Sequence, residues 1–354
     1  MKNLQRKIES GSGHLIMNPS NIAYLSNFTG TKGAILITKN KSFFFTDARY
    51  AREAKRIVPK NFEIIITGDM ATELEKLIKK LRVTTINFES QHVSYFKYET
   101  LKKALPKTKL KPCPDFAEQL RMIKTKREIA FITGSQRINE KVLREVIENL
   151  RYGKTEKQIA WEIEKIGHDM GADELSFPPI VGFGSNSGCP HHMSGNRKLK
   201  KGDMVLIDMG MKYKGYCSDM TRIYFTKKPT QKQALIYNLV LKAQETAIAT
   251  LKAGILGTAA DNAARDVIEK AGYGPQFSHS LGHGVGLEIH EAPSLSVTYD
   301  KPIPENTVVT VEPGIYLEKS FGVRIEDMVL IKRNKAENLT KTPKQIDSLI
   351  LSIS

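Results

Sequence analysis

Apolar and polar positions follow two rhythms along the first 115 residues. Short apolar runs at 33–39 (GAILITK), 42–50 (SFFFTDARY), 62–68 (FEIIITG) and 84–90 (TTINFES) have the length and β-branched or aromatic content of strands. Between them, 50–58 (YAREAKRIV) and 71–81 (ATELEKLIKKL) place apolar residues three and four apart, the spacing of one helix face. This alternation predicts an α/β unit. Parallel strands are favoured, because a helical crossover returns the chain in the same direction. Lys111-Pro112-Cys113-Pro114-Asp115 then interrupts the pattern with its prolines, which divides the chain into domains 1–116 and 117–354.

Beyond the break, 120–150 reads as one long helix with charges spaced three and four apart. The texture changes again from Asp203. The segments 203–210 (DMVLIDMG), 215–225 (GYCSDMTRIYF), 306–316 (NTVVTVEPGIY) and 322–331 (GVRIEDMVLI) read as strands with acidic residues set inside apolar runs. Helical stretches at 233–251 and 258–273 lie between them. The second domain is therefore expected to be an antiparallel sheet backed by helices.

A carboxylate inside an apolar strand is costly unless it is paired or ligates a metal. Asp208 poses that problem, and Asp219 poses it again 11 residues later. With Lys214-Gly215 as a two-residue turn, Tyr213 faces Tyr216 and Asp208 faces Thr221. Asp219 is then the diagonal neighbour of Asp208 on the same face. Two buried carboxylates on one face repel, which calls for a cation between them. The alternative is structural: one Asp caps a turn and the other pairs with Arg222.

Three of the eight histidines, His279, His283 and His290, fall within 12 residues, and glycines flank His283. Glu312 ends an apolar run. Period-two alternation puts Arg324, Glu326 and Met328 on one strand face. There Arg324 either holds Glu326 ionised or forms a plain structural pair with it. Asp208, Asp219, His283, Glu312 and Glu326 together make four carboxylates and one imidazole. Such an oxygen-rich set suits Mn²⁺, Co²⁺ or Zn²⁺, and a two-metal site ~3.5–4 Å across needs bridging carboxylates. Asp219 and Glu326 are the expected bridges, with Asp208 on one ion and His283 and Glu312 on the other.

Composition narrows the class. With 40% hydrophobic and 26% charged residues, the chain is expected to be globular rather than disordered. Its cysteines, Cys113, Cys189 and Cys217, form no CxxC pair, so neither a disulfide framework nor a thiolate zinc site is expected. The N-terminus has no apolar signal core, and no run approaches the ~18 apolar residues of a membrane span, so the cytoplasm is the expected location. The net charge of +16 comes from 54 Lys+Arg against 38 Asp+Glu. The lysines are dispersed near turns and form no basic stripe interleaved with aromatics, so a solvated surface is expected rather than a nucleic-acid or membrane partner.

The segments LIDMGMKYKGYCSDMTRIYF, HSLGHGVGLEIHEAP, VVTVEPGIY and GVRIEDMVLI resemble the pita-bread metallopeptidases, which include aminopeptidase P, prolidase and methionine aminopeptidase. The family's metal ligands fall on Asp208, Asp219, His283, Glu312 and Glu326 without substitution. NPSNIAYLSNFTG and FFFTDARYAREA resemble the creatinase-type N-terminal domain of aminopeptidase P and prolidase, which methionine aminopeptidases lack. The resemblance implies a creatinase-type α/β domain at 1–116 and an α+β pita-bread catalytic domain at 117–354. It also implies two divalent metal ions, with Mn²⁺ expected first and Co²⁺ or Zn²⁺ as alternatives. Short proline-containing peptides would be the substrates, and the chain would be a homodimer.

Further roles are implied by the same resemblance. His191, His279 and His290 would lie on the substrate side, although His192 cannot be separated from His191 by sequence. Glu312 would take a proton from water and pass it to the leaving prolyl nitrogen. His290 would stabilise the oxyanion, and Arg324 would orient the metal carboxylates. Many prolidases carry an Arg just after the proline of the IHE-x-P segment, where this chain has Ser294. That leans towards an aminopeptidase P-like Xaa-Pro peptidase over an Xaa-Pro dipeptidase. Two rivals are a methionine aminopeptidase-like or creatinase-like enzyme and a non-catalytic binding module. Creatinase lacks the metal ligand set, and binding modules usually lose ligands, whereas this chain keeps them all.

Overall fold

All five residues of Ser42–Thr46 are buried, and so are all five of Ala34–Thr38. Apolar runs without polar alternation fit strands covered on both faces. They are central strands in the first of two units into which the chain divides, residues 2–121 and 122–353; the computed structural model describes residues 2–353. The sheet contains β1 (Ser12–Ile16), β2 (Ala34–Thr38), β3 (Ser42–Thr46), β4 (Phe62–Ile66), β5 (Thr85–Glu89) and β6 (Lys109–Cys113), in the order β4-β3-β2-β1-β5-β6. Ile16, Ile35, Ile37 and Phe44 pack on one side with Ala54 and Phe62. Leu15, Leu36, Phe43 and Phe45 pack on the other with Leu74 and Ile78.

The periodicity favours parallel strands, but this sheet is mixed. β2 pairs antiparallel with both β1 and β3. The link from Thr38 to Ser42 is a tight turn, closed by Thr38 N–H donating to the Lys41 carbonyl, and is too short for a crossover. β1 and β6 lack strand-like patterning. β6 is an edge strand whose Lys109 and Lys111 are exposed, the usual protection of an open edge. Phe116 and Leu120 pack onto the first unit's core, so the division falls after Arg121 rather than at the proline pair.

The long helical stretch expected over 120–150 is interrupted. Helix Glu118–Met122 ends, and helix Lys126–Glu148 starts from a capping box in which Thr125 and Glu128 satisfy each other's backbone N–H. β7 (Glu174–Leu175), β10 (Met211–Tyr213) and β11 (Tyr216–Cys217) form a small antiparallel sheet in the order β11-β10-β7, and β8 (Ile180–Phe183), β9 (Met204–Met209) and β12 (Met220–Phe225) form another in the order β12-β9-β8. A further antiparallel sheet has the order β14-β13-β15-β18-β19, from β13 (Gly282–Gly284), β14 (Glu291–Leu295), β15 (Val308–Val311), β18 (Asp327–Ile331) and β19 (Ala336–Asn338). β16 (Gly314–Leu317) pairs with β17 (Phe321–Arg324) as a separate hairpin. Helices Gln231–Thr250 and Gly257–Lys270 pack with the strands in one core.

Two segments that read as single strands are therefore each split between sheets. NTVVTVEPGIY breaks at Glu312-Pro313, between β15 and β16. GVRIEDMVLI breaks at Ile325-Glu326, between β17 and β18. Backbone leaves one ladder and enters another at both breaks, which frees the intervening side chains to face inward. Among the described residues, no helix is long and apolar enough to cross a membrane.

One buried cation ties these strands together. Arg222, with no solvent exposure, donates to the carbonyls of Thr221, Glu326 and Thr342 and to the Asp327 carboxylate at 2.7 Å. Asp327 also accepts from Lys344 and Asn338, each at 2.8 Å. Burial opposes ionisation of Asp327, but Arg222 and Lys344 hold it below the usual carboxylate range. Removing one partner of a buried pair strands the other charge. Arg222→Met is expected to cost about 3–5 kcal/mol in denaturant unfolding of the metal-free protein. A cost under about 1 kcal/mol would show that Lys344 and Asn338 hold Asp327 unaided.

Candidate metal centre

The β9–β12 ladder brings the first two carboxylates together. Asp208 pairs with Thr221 and Met209 with Met220, while Tyr213 pairs with Tyr216 across the Lys214-Gly215 turn. The register expected from the turn is the register found, and it sets Asp219 diagonally from Asp208. Asp219 lies opposite Gly210, where a Cβ would stand 2.1 Å from the Ser218 carbonyl; no larger residue fits there. Glu312 follows β15, Glu326 lies at the β17–β18 break, and His283 sits in β13.

The five side chains line one cavity of about 440 Å³. Asp219, His283 and Glu326 offer ligand atoms within 4.8 Å of one another. His283 Nε2 is 3.6 Å from Asp219 Oδ2 and 3.3 Å from Glu312 Oε1. Its Nδ1 donates to the Gly284 carbonyl at 3.1 Å, which leaves Nε2 directed at the carboxylates. A ligating histidine held by its other nitrogen has this arrangement. Glu326 accepts from the Thr221 hydroxyl at 2.7 Å, and Glu312 from the Thr310 hydroxyl at 3.1 Å.

The electrostatics are those of an uncompensated cluster. Burial, then the charges of Glu326 and Asp208, push the Asp219 carboxyl well above its usual range. Burial, then Glu312 and Asp208, do the same to Glu326. Burial raises Asp208 too, against the opposing pull of Arg324. Glu312 differs: burial opposes ionisation, yet the hydrogen bond and charge of His283 outweigh it and bring the carboxyl down to about 2. Asp208 Oδ1 and Asp219 Oδ1 are buried without a hydrogen-bond donor. Orphaned oxygens, crowded carboxylates and one aimed imidazole nitrogen are the donor chemistry of a divalent cation.

The surrounding residues fall into two groups. Arg324 donates through Nε to Thr221 and through Nη1 to Tyr316 and the Pro190 carbonyl, and through Nη2 it grips Asp208. Alternation along the segment pairs Arg324 with Glu326; the break between β17 and β18 turns its guanidinium to Asp208 instead. His191, His279 and His290 line the same cavity, as does Ser294. His192 instead turns to Glu156, 2.8 Å away. Tyr316 has no signal in the sequence. Its hydroxyl accepts from Arg324 at 2.7 Å, so its own proton goes to His279 Nε2 at 3.0 Å. His279 Nδ1 then donates to the Ser280 carbonyl at 2.8 Å, which engages both ring nitrogens. Burial lowers the pKa of His279 and, with the nearby His283, that of His290, so both are neutral at pH 7.

Fold and site thus define a metal-dependent hydrolase whose catalytic unit follows an α/β unit in the sequence. Comparison with known proteins gives the family. The model of metallopeptidase family M24 matches residues 130–333, and that of the creatinase/prolidase N-terminal domain matches residues 2–123. The chain belongs to metallopeptidase family M24. It is 35% identical to the Xaa-Pro dipeptidase of Pyrococcus furiosus, over 94% of each chain. The crystal structure of the X-Pro aminopeptidase from Thermotoga maritima MSB8 superposes with a TM-score of 0.89 at 37% identity, covering 97% of this chain and 99% of that one. The Xaa-Pro dipeptidase from Bacillus anthracis gives a TM-score of 0.95 at 36% identity, covering 99% of both chains.

Repulsion among the carboxylates sets up an opposition between metal binding and metal-free stability. In chelator, Asp219→Asn/Glu326→Gln should melt a few degrees above the wild-type chain, since ~1 kcal/mol is worth roughly 2–4 °C at this size. Divalent metal should then raise the wild-type melting temperature and leave the double variant unmoved. A double variant that melts below metal-free wild type would show that these carboxylates support the fold.

Proposed function

We propose that this metallopeptidase hydrolyses the Xaa-Pro bond at the N-terminus of short peptides. The observation that carries the reading is the complete donor set, Asp208, Asp219, His283, Glu312 and Glu326, around one cavity. Relatives named as Xaa-Pro peptidases, similar over nearly the whole chain, support it. Asp208, Asp219, His283, Glu312 and Glu326 would together hold two divalent ions. Such ions, with Mn²⁺ first among them, would supply Lewis-acid polarisation of the scissile carbonyl and a lowered pKa for the attacking water.

The residues divide the remaining work. Glu312 accepts the proton of the attacking water and returns it to the prolyl nitrogen. His290, neutral and at the cavity wall, donates an N–H to the developing oxyanion. Arg324 fixes Asp208 and Tyr316. A prolyl nitrogen has no N–H before cleavage, so the leaving side needs shape rather than an acceptor. His279, with both ring nitrogens engaged, presents ring surface there, and His191 closes the same side. The chain is further read as a cytoplasmic homodimer without nucleic-acid or membrane partners. Its three cysteines are free, which suits a reducing compartment.

Substrate length turns on Ser294. Among the described residues lining the cavity, Arg324 is the one fixed cation, and Asp208, Tyr316, Thr221 and Pro190 occupy it. A dipeptide's terminal carboxylate would lack a charged partner, whereas a longer peptide presents an amide there. The second reading, a strict dipeptidase, is favoured by the names of the Pyrococcus furiosus and Bacillus anthracis relatives.

Two outcomes are expected. His290→Ala should retain metal and lose ~10²–10³ in kcat, as for other oxyanion donors. His283→Ala should lose metal instead; equal metal loss in both variants would refute this division of roles. For length, Ala-Pro-Ala should be cleaved at least as well as Ala-Pro, with Ser294→Arg raising dipeptide activity selectively. The bond so gained is worth ~1.5–3 kcal/mol, or roughly 10–150-fold in kcat/KM. A tenfold preference of the wild-type enzyme for Ala-Pro, read at ~1.4 kcal/mol per decade, would establish the dipeptidase reading.

A further inference from the structure

Glu156 is the first residue of helix Glu156–Asp169, and its side chain has no solvent exposure. Its carboxylate takes four donors, all from the segment 183–195. Oε1 accepts from the Phe183 N–H and from Asn186 Nδ2, each at 2.8 Å. Oε2 accepts from the Gly195 N–H at 3.1 Å and from His192 Nε2 at 2.8 Å. Both carboxylate oxygens act as acceptors in this cluster, so His192 Nε2 is the donor of its pair.

The segment so gripped is the one that brings Pro190 and His191 to the cavity. It has no ladder of its own beyond Phe183, only the short turn Gly184–Gly188. Its shape is otherwise tight: a Cβ on Gly182 would stand 3.1 Å from the Ser187 backbone nitrogen. One carboxylate therefore fastens both ends of the loop and the residue next to His191.

We propose that Glu156 is the positioning residue for His191, with His192 as its side-chain strut. The neighbouring histidines then have opposite duties: His191 faces the substrate and His192 faces the helix end. The substrate half of this assignment rests on the Xaa-Pro reading above; the clamp itself does not. Glu156→Gln keeps shape and volume but cannot satisfy all four donors. Whichever way the amide is turned, its NH₂ meets either Phe183 and Asn186 or Gly195 and His192.

The test uses the full, metal-loaded chain with Glu156→Gln, His192→Ala and His192→Gln. KM and kcat for Ala-Pro and Ala-Pro-Ala are measured with bound metal and with amide hydrogen exchange over 183–195. Glu156→Gln and His192→Ala are expected to raise KM about tenfold, with kcat within about twofold of wild type. Metal content should be unchanged. His192→Gln, whose amide can donate as the imidazole does, should recover most of the loss, and loop exchange should follow the same order. A lowered melting temperature with unchanged KM would make Glu156 a plain buried cap and overturn the proposal. So would a His192→Gln variant no better than His192→Ala, the pair that decides should Glu156→Gln not fold. If the wild-type chain cleaves neither peptide, the Xaa-Pro reading fails; exchange over 183–195 then decides the clamp, and no rise in Glu156→Gln overturns it.

Discussion

Four carboxylates pressed into one cavity repel one another, and among the described residues the neighbouring cations do not neutralise all of them. Arg324 grips Asp208, and His283 draws Glu312 down to about 2, yet Asp219 and Glu326 stay well above their usual range. Buried like charges persist where something outside the polypeptide compensates them. Asp208 Oδ1 and Asp219 Oδ1, buried without a hydrogen-bond donor, belong to the same imbalance. The catalytic unit is organised around that deficit, which a divalent cation removes.

The scaffold delivers these groups at places where strands end or change partners. Asp208 and Asp219 share one ladder, but Glu312 and Glu326 sit at breaks where the backbone passes from one sheet to another. A residue at such a break is released from strict alternation, and its side chain can turn towards ligands on a different strand. The cost is rigidity, which a surrounding layer restores. Arg222 ties the Thr221 and Glu326 carbonyls to Asp327, and Thr221 bridges Arg324 and Glu326. Tyr316 links Arg324 to His279 and selects that ring's tautomer. Glu156 does for the His191 loop what Arg222 does for the strand breaks.

Much of the site was legible in the linear chain because its geometry is local. The turn at Lys214-Gly215 sets the register of a hairpin, so the pairing of Asp208 with Thr221 follows from counting residues. Acidic residues inside apolar runs, and histidines crowded among glycines, are visible without any long-range contact. The continuous apolar runs of β2 and β3 likewise announce strands buried on both faces.

Other features depend on contacts that periodicity does not encode. Alternation gave Arg324 to Glu326, but the sheet break sent its guanidinium to Asp208, 116 residues away in the chain. The direction of β2 depended on a tight turn beside it rather than on the helices that follow. Tyr316 and Glu156 look like ordinary strand and helix residues until folding brings His279 to one and the 183–195 loop to the other. His191 and His192 are chemically identical neighbours, and only the buried carboxylate of Glu156 tells them apart. Local pattern was enough to single out the acidic residues that gather in the cavity, because a charge set in an apolar run is a local violation that demands a partner. Tertiary structure decided which partner each group obtained, because that choice is made among residues a hundred positions apart competing for one buried space.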